Sequence, residues 1–329
     1  MTSRYAAAHL NTKGPGDSRP TALQIVKDNG LEGQLVGKVA FITGCSSGIG
    51  IETARALAAT GATVFCTARD MEKGKSALAD FLEPGRVELL KLDLSSFDSV
   101  RACAKEFLEK SKTLNILVNN AGVMTCPESR TADGFETQFG TNHLAHFLLF
   151  NLLKPVLLAS STPDFNSRVV SVSSTEHRYV KGINFENFNL EGIYDPRTAY
   201  GQSKLANIYM ANEIERLYGG KGLHAFSLHP GGISSGLQRY VPAAIMAALS
   251  GDEKIKNHMK SPEQGAATTI WAAVGKELEG KGGQYLENCG AGQLVKESYE
   301  MLHTGYGPMA FNQENEEKLW AESLKMVGL

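Results

Sequence analysis

From Lys38 to Gly50 the sequence reads KVAFITGCSSGIG, an apolar run of strand length that breaks into a turn carrying glycines at 44, 48 and 50. Such a run predicts a buried strand, and the turn after it feeds a helix that ends near Gly61. The pattern repeats outward. ATVFCT from Ala62, RVELLKL from Arg86, NILVN from Asn115, RVVSVS from Arg168, HAFSLH from His224 and GQYLE from Gly283 read as further strands. Helical stretches separate them. Asp98 to Lys110 carries Val100, Ala104, Phe107 and Leu108 on one side, and another helix runs from about Ala199 to Tyr218. Short apolar strands alternating with helices specify an α/β fold, a doubly wound parallel sheet of about seven strands covered on both faces. Residues 36–329 form this one domain. Residues 1–35, rich in Gly, Pro and polar groups, read as an N-terminal extension containing a short helix from Pro20 to Asp28, closed by Asn29-Gly30.

The composition narrows the partners. The 329 residues include 33 Lys plus Arg against 35 Asp plus Glu, a net charge of −2, and 42% are hydrophobic. Nucleic acids and anionic membranes select basic surfaces, so neither is expected as the main partner. The most apolar stretch, Phe147 to Ala159, is interrupted by Asn151, Lys154 and Pro155, so no membrane span is expected. The opening MTSRYAAAHLNTKGPGDSRP lacks the apolar core of a secretion signal. Cys45, Cys66, Cys103, Cys126 and Cys289 are odd in number and scattered without a CxxC spacing. They indicate no disulfide framework or zinc knuckle, and the expectation is a soluble cytoplasmic protein.

Parallel sheets bind ligands outside the carboxyl ends of their strands, and the informative residues follow the strands. Gly44, Ser47, Gly48, Ile49 and Gly50 form a turn that lets backbone approach a pyrophosphate, and the next helix offers free N–H groups and its dipole. The spacing is GxxxGxG. At the end of the second strand, where a ribose-binding carboxylate would stand in an NAD site, Arg69 precedes Asp70. Arg69 could grip a 2′-phosphate, which favours NADP(H) over NAD(H). Asp93 and Leu94 follow the third strand, where the carboxylate could accept from an adenine amino group or cap a helix. Asn120, Ala121 and Gly122 follow the fourth strand, either stabilising the central turn or flooring the cofactor ribose.

Tyr200-Gly201-Gln202-Ser203-Lys204 opens a helix, and i, i+4 spacing puts the phenol and the ammonium on one face. A nearby cation stabilises a phenolate. Ser173 and Ser174 end the fifth strand, facing the same cleft. Taken together, TGCSSGIG, NNAG, the strand-end SS and YGQSK resemble the short-chain dehydrogenase/reductase family. TNHLAHF from Thr141, SKLAN from Ser203, HPGG from His229 and GGQYLENC from Gly282 are most similar to its branch of retinol dehydrogenases, WW-domain oxidoreductase and protochlorophyllide reductase. The N-terminal extension resembles that of fungal members.

The resemblance implies a Rossmann fold and a role for each matching residue. Tyr200 would be the general acid/base, Lys204 would lower its pKa and bind the nicotinamide ribose, and Ser174 rather than Ser173 would hold the substrate oxygen. Asn142 would hold a water of the proton relay. Pro230, Gly231 and Ile233 match the loop that contacts the carboxamide, and Ser235 stands where the family usually has Thr. The segment 236–260, with the apolar run VPAAIMAAL, is expected to be a substrate lid for a lipophilic ketone or alcohol; packing on the sheet or in a homodimer interface is the other reading of that run. His143 and His146 are spaced like a metal pair but lack companion ligands and read as packing residues. No metal is expected. His177 could border the substrate pocket, and Cys126 reads as a packing thiol. The expected activity is NADP(H)-dependent interconversion of a carbonyl and an alcohol. A non-catalytic NADP(H)-binding sensor on the same fold is the alternative, which the intact Ser174, Tyr200, Lys204 and Asn142 set disfavours.

Overall fold

Short parallel strands whose positions are mostly buried sit inside a sheet covered on both sides. In the computed structural model, which describes residues 3–295 and 302–329, those strands are β1 (Val39–Ile42), β2 (Thr63–Ala68), β3 (Val87–Lys91), β4 (Ile116–Asn119), β5 (Ser167–Val172), β6 (Leu223–His229), β7 (Gln284–Glu287) and β8 (Gly290–Ala291). They form one sheet in the order β3-β2-β1-β4-β5-β6-β7-β8. β1 to β7 pair in parallel, and only the two-residue β8 returns antiparallel against β7. The sheet thus has eight strands among the described residues rather than about seven. The added edge strand is too short to carry a periodic signal.

Among the described residues twelve α-helices accompany the sheet: α1 (Ala22–Asp28), α2 (Ile49–Ala59), α3 (Met71–Leu78), α4 (Phe97–Lys110), α5 (Thr137–Phe139), α6 (Ala145–Ser160), α7 (Pro196–Tyr218), α8 (Ala243–Gly251), α9 (Glu253–His258), α10 (Pro262–Gly265), α11 (Ala267–Val274) and α12 (Gln313–Val327). Alternation along β1 divides the core. Val39 and Phe41 face α4, α6, α7 and α12, where Phe107 sits edge-on to Phe41 and Phe65. Ala40 and Ile42 face the layer of α1, α2 and α11. The crossover from β3 to β4 reverses the winding, so a crevice opens between the ends of β1 and β4.

A π-helical turn, Gly140–Leu144, joins α5 to α6 into one helical run from Thr137 to Ser160, with an 18-residue window of mean hydropathy 1.3. By length and composition alone this run could cross a membrane, because the helix begins ten residues before Phe147. Its apolarity is that of a core helix, with Leu144, Phe147, Leu148 and Phe150 wholly buried. One expectation changes: the N-terminal segment is no appendage. Thr21 caps α1 by accepting from the Gln24 amide, so the helix starts two residues after Pro20. Ile25 and Val26 are completely buried in the same core layer as α2 and α11.

Ile25→Ala should therefore lower the unfolding free energy by about 2–4 kcal/mol, the cost of a core truncation. Urea titration checks this, and a change below about 0.5 kcal/mol would show that α1 is not part of the cooperative core.

Candidate active site

At the carboxyl end of β1, one side chain ties three segments together. The Thr43 hydroxyl accepts from the Asn120 and Ala121 amides, each at 2.9 Å, and lies 2.9 Å from His146 Nε2. With two N–H groups already on the oxygen, its proton goes to His146, so Nε2 is the acceptor and Nδ1–H donates to the Asn142 carbonyl. Burial holds His146 neutral, its pKa pushed down to about 4. The glycine turn, the NNAG turn and the π-helical turn are thereby locked to one another. Asn120 completes the lock by donating to the Thr43 and Gly44 carbonyls.

Two glycines in the turn have no substitute. Gly44 sits at φ +77°, and a Cβ there would lie 2.8 Å from the Ala121 Cβ. A Cβ on Gly50 would meet the Gly44 carbonyl oxygen at 2.1 Å. Gly44, Ser47, Gly48, Ile49 and Gly50 line a cleft of about 1140 Å³. Arg69, Asp93, Leu94, Asn120, Ala121, Gly122, Pro230, Gly231, Ile233 and Ser235 line it too. The structure thus brings together every residue expected at the cofactor.

Details within the cleft refine their roles. Asp70 caps α3 through the Lys73 amide with one carboxylate oxygen and lines the rim of the cleft together with the exposed Arg69 and with Lys73. One carboxylate oxygen of Asp93 is engaged by the Ser95 amide and hydroxyl. Ser235 accepts from the Leu237 amide and caps the first turn of the lid, so its hydroxyl serves that turn first.

The chemistry-bearing side chains meet at the ends of β5 and α7. Ser173 donates to the Lys204 carbonyl at 2.7 Å and is spent on holding α7. The Ser174 hydroxyl accepts from the Glu176 amide at 3.2 Å and lies close enough to the Tyr200 phenol to favour its ionised form. Burial outweighs that effect and pushes the Tyr200 pKa above the ordinary phenol range. The Lys204 ammonium lies 5.6 Å from the Tyr200 ring centroid and donates to the Val172 carbonyl at 3.0 Å. Burial lowers its pKa to about 8. Burial, not the lysine over its ring, sets the direction of the phenol's shift.

Asn142 is held in the π-helical turn. Its amide accepts from the Val123 N–H at 2.8 Å and donates to the Val123 carbonyl and to Ser203, both at 2.9 Å. These bonds commit the side chain to positioning the loop after Gly122.

Other sequence candidates fall away from the cleft. His177 is fully buried behind Ser174, its Nδ1 bonded to the Ser174 carbonyl and its Nε2 accepting from Gly307 N–H, so it does not border the pocket. His143 bonds Ser323 and packs against Phe139 and Phe147. No group of three His, Cys, Asp or Glu among the described residues could hold a metal. Cys126 is buried in a small neighbouring cavity. The lid segment does cover the cleft: Val241, Met246 and Leu249 line it, the last two one turn apart on α8. Sequence reasoning missed the Thr43–His146 link, legible only as a histidine four residues after Asn142, and also Lys13, Gly14 and Pro15, which join the cleft wall from the N-terminal segment.

Comparison with known proteins agrees with this arrangement. The family described as short chain dehydrogenase matches residues 38–245. A short-chain dehydrogenase/reductase of Penicillium roqueforti is 56% identical over 326 residues, 99% of this chain and 95% of the relative. Retinol dehydrogenase 12 of Homo sapiens is 40% identical over 299 residues, 90% of this chain and 88% of that protein. Among solved structures, the Pseudomonas aeruginosa RhlG/NADP active-site complex superposes with a TM-score of 0.62 at 27% identity, covering 78% of this chain and 96% of that one.

Because His146 is held neutral below its unfolded pKa near 6.5, the unfolded chain takes up a proton between pH 6.5 and about 4 that the folded chain refuses. The stability from this site is full above pH 6.5 and is lost as pH falls through that window. His146→Gln should flatten the unfolding free energy by up to about 1.4 kcal/mol per pH unit there. Denaturant titrations at pH 7, 6 and 5 would show it; parallel curves would mean His146 carries no such linkage.

Proposed function

The chain belongs to the short-chain dehydrogenase family, and from that premise we propose that it reduces a lipophilic carbonyl compound to its alcohol with NADP(H), and catalyses the reverse oxidation. One observation carries the reading: Ser174, the Tyr200 phenol and the Lys204 ammonium over its ring share a single cleft with the Gly44–Gly50 turn. The residues present fit a dinucleotide. Gly44 and Gly50 let the turn close against Ala121 and against its own carbonyl, and the N-terminus of α2, with no side-chain cap at Gly48, opens on the cleft where a pyrophosphate would lie. Arg69 and Lys73 form a cationic rim suited to a 2′-phosphate, and the NADP-bound structural relative supports that choice. When bound, the nicotinamide supplies or accepts the hydride.

The protein's own groups do the rest. In the reductive direction Ser174 Oγ and Tyr200 Oη both donate hydrogen bonds to the substrate oxygen, drawing charge towards it. Tyr200 then gives its proton to that oxygen as negative charge develops. The phenol, raised by burial, is protonated at neutral pH and can act as the acid. Lys204 stabilises the phenolate left behind and binds ribose hydroxyls. Asn142 and Ser203 hold the loop that faces this pair. The apolar side chains of Val241, Met246 and Leu249 exclude water and select an apolar substrate. Five free, buried cysteines suit a reducing compartment, and we place the protein in the cytoplasm.

Tyr200→Phe should lower kcat by about 10²–10⁴-fold while the NADPH Kd, read by fluorescence quenching, stays within about twofold. Wild-type turnover in this variant would remove Tyr200 from the chemistry. Arg69→Ala should weaken NADPH binding about tenfold or more with little effect on NADH, the loss of a charge-assisted bond to phosphate. Equal weakening of both cofactors would assign Arg69 no part in the preference.

A further inference from the structure

Residues 13–19 lie far from the motifs in sequence but form part of the cleft. Lys13, Gly14 and Pro15 line it opposite the lid residues Lys256 to Met259. The segment is stapled there by an unusual concentration of bonds. Arg19 is 3% exposed, and its guanidinium donates to the His258 carbonyl at 2.8 Å, the Met259 carbonyl at 2.5 Å and the Gly14 carbonyl at 3.1 Å. Its Nε pairs with Asp17 Oδ1 at 2.8 Å, an ion pair with both partners almost completely buried. Asp17 also accepts from the Lys13 and Arg19 amides. Gln264 accepts from the Gly16 amide and donates to the Asp17 and Arg19 carbonyls. Gly14 donates to the Asn257 carbonyl at 2.9 Å.

The carbonyls that Arg19 holds end the lid, and the next residue carries the constraint onward. The Lys260 amide donates to the Gly232 carbonyl at 2.8 Å, and Lys260 pairs with Ile233 in a parallel bridge. Lys260 Nζ donates to the Pro230 carbonyl and to Asn288 Oδ1. A continuous path therefore runs from Arg19 through the end of α9 to the Pro230–Ile233 loop on the cofactor side of the cleft. The lid helices themselves supply little anchorage, since neither α8 nor α9 has a buried residue. A mostly exposed lid needs an external fastening, and the Asp17–Arg19 pair is the buried one it has.

We propose that residues 13–19 are a clamp that holds the lid closed over the cleft, with Arg19 as the positioning residue that fixes the lid's C-terminal end and, through Lys260, the loop from Pro230 to Ile233. Arg19 touches no reacting atom. Its charge is balanced by Asp17, and its remaining donors are spent on the Gly14, His258 and Met259 carbonyls. The kinetic consequence rests on the oxidoreductase reading above; the structural consequence does not.

The test uses the full chain with Arg19→Met, which keeps the bulk and removes the donors, and with the milder Arg19→Lys and Gln264→Met. Hydrogen exchange of amides 253–260 should quicken about tenfold or more in Arg19→Met while amides of β4, β5 and β6 keep wild-type protection, with Arg19→Lys intermediate. In turnover, KM for the carbonyl substrate should rise about tenfold with kcat within about threefold. Wild-type exchange at 253–260 in a folded Arg19→Met protein would overturn the clamp. So would equal loss of protection throughout the sheet, or failure of all three variants to fold, because Arg19 would then serve the fold and not the lid. Should no carbonyl substrate be turned over even by the unmodified chain, the oxidoreductase reading fails, and the exchange arm still decides the clamp.

Discussion

The hydroxyl of Thr43 is the smallest group on which the site depends. A parallel sheet ends in backbone groups that must be satisfied without filling the crevice where a ligand lies. Thr43 meets that constraint by taking two N–H groups from the turn after β4 and passing its own proton to His146. His146 in turn donates to Asn142, whose side chain grips Val123. The turn that approaches the pyrophosphate and the loop that faces Lys204 thus share one rigid network in the core.

Against that rigid floor stands a pair of ionisable groups that the fold would be more stable without. Burial pulls Lys204 from 10.5 to about 8, equivalent to about 3 kcal/mol of unfavourable differential interaction. Partial compensation comes from the Val172 carbonyl and the aromatic face of Tyr200. A side chain kept at such a cost in the cleft fits the role proposed for it beside the Tyr200 phenol. The same desolvation raises the phenol, so the pair is set with the proton on tyrosine and poised for transfer to an oxygen that develops charge.

Much of this was legible in the residues. The strands, the order of the motifs and the convergence of Ser174, Tyr200 and Lys204 followed from apolar runs, glycine positions and i, i+4 spacing. The choice of Ser174 over Ser173 came from the family resemblance and not from the residues; the structure adds that Ser173 is bound to α7. What could not be read depends on partners distant in sequence. Nothing near Arg19 announces that its donors end on His258 and Met259, and nothing near Ile25 announces that α1 lies on α11. Ser235 and Asp70 were visible as polar residues at strand ends, but their use as helix caps required the chain to turn first. The direction of the Tyr200 shift was likewise hidden, because spacing gives the neighbour and not the burial.

The account turns on hydride exchange between a nicotinamide and a carbonyl carbon in the cleft above Gly44. The direct measurement is turnover of a panel of lipophilic ketones with NADPH deuterated at C4 on each face in turn, followed by mass spectrometry of the products. Transfer of one deuterium from a single face to the carbonyl carbon of an alcohol product is the result predicted. Tight NADPH binding with no deuterium delivered to any carbonyl compound would contradict it and leave a nucleotide-binding protein without this chemistry.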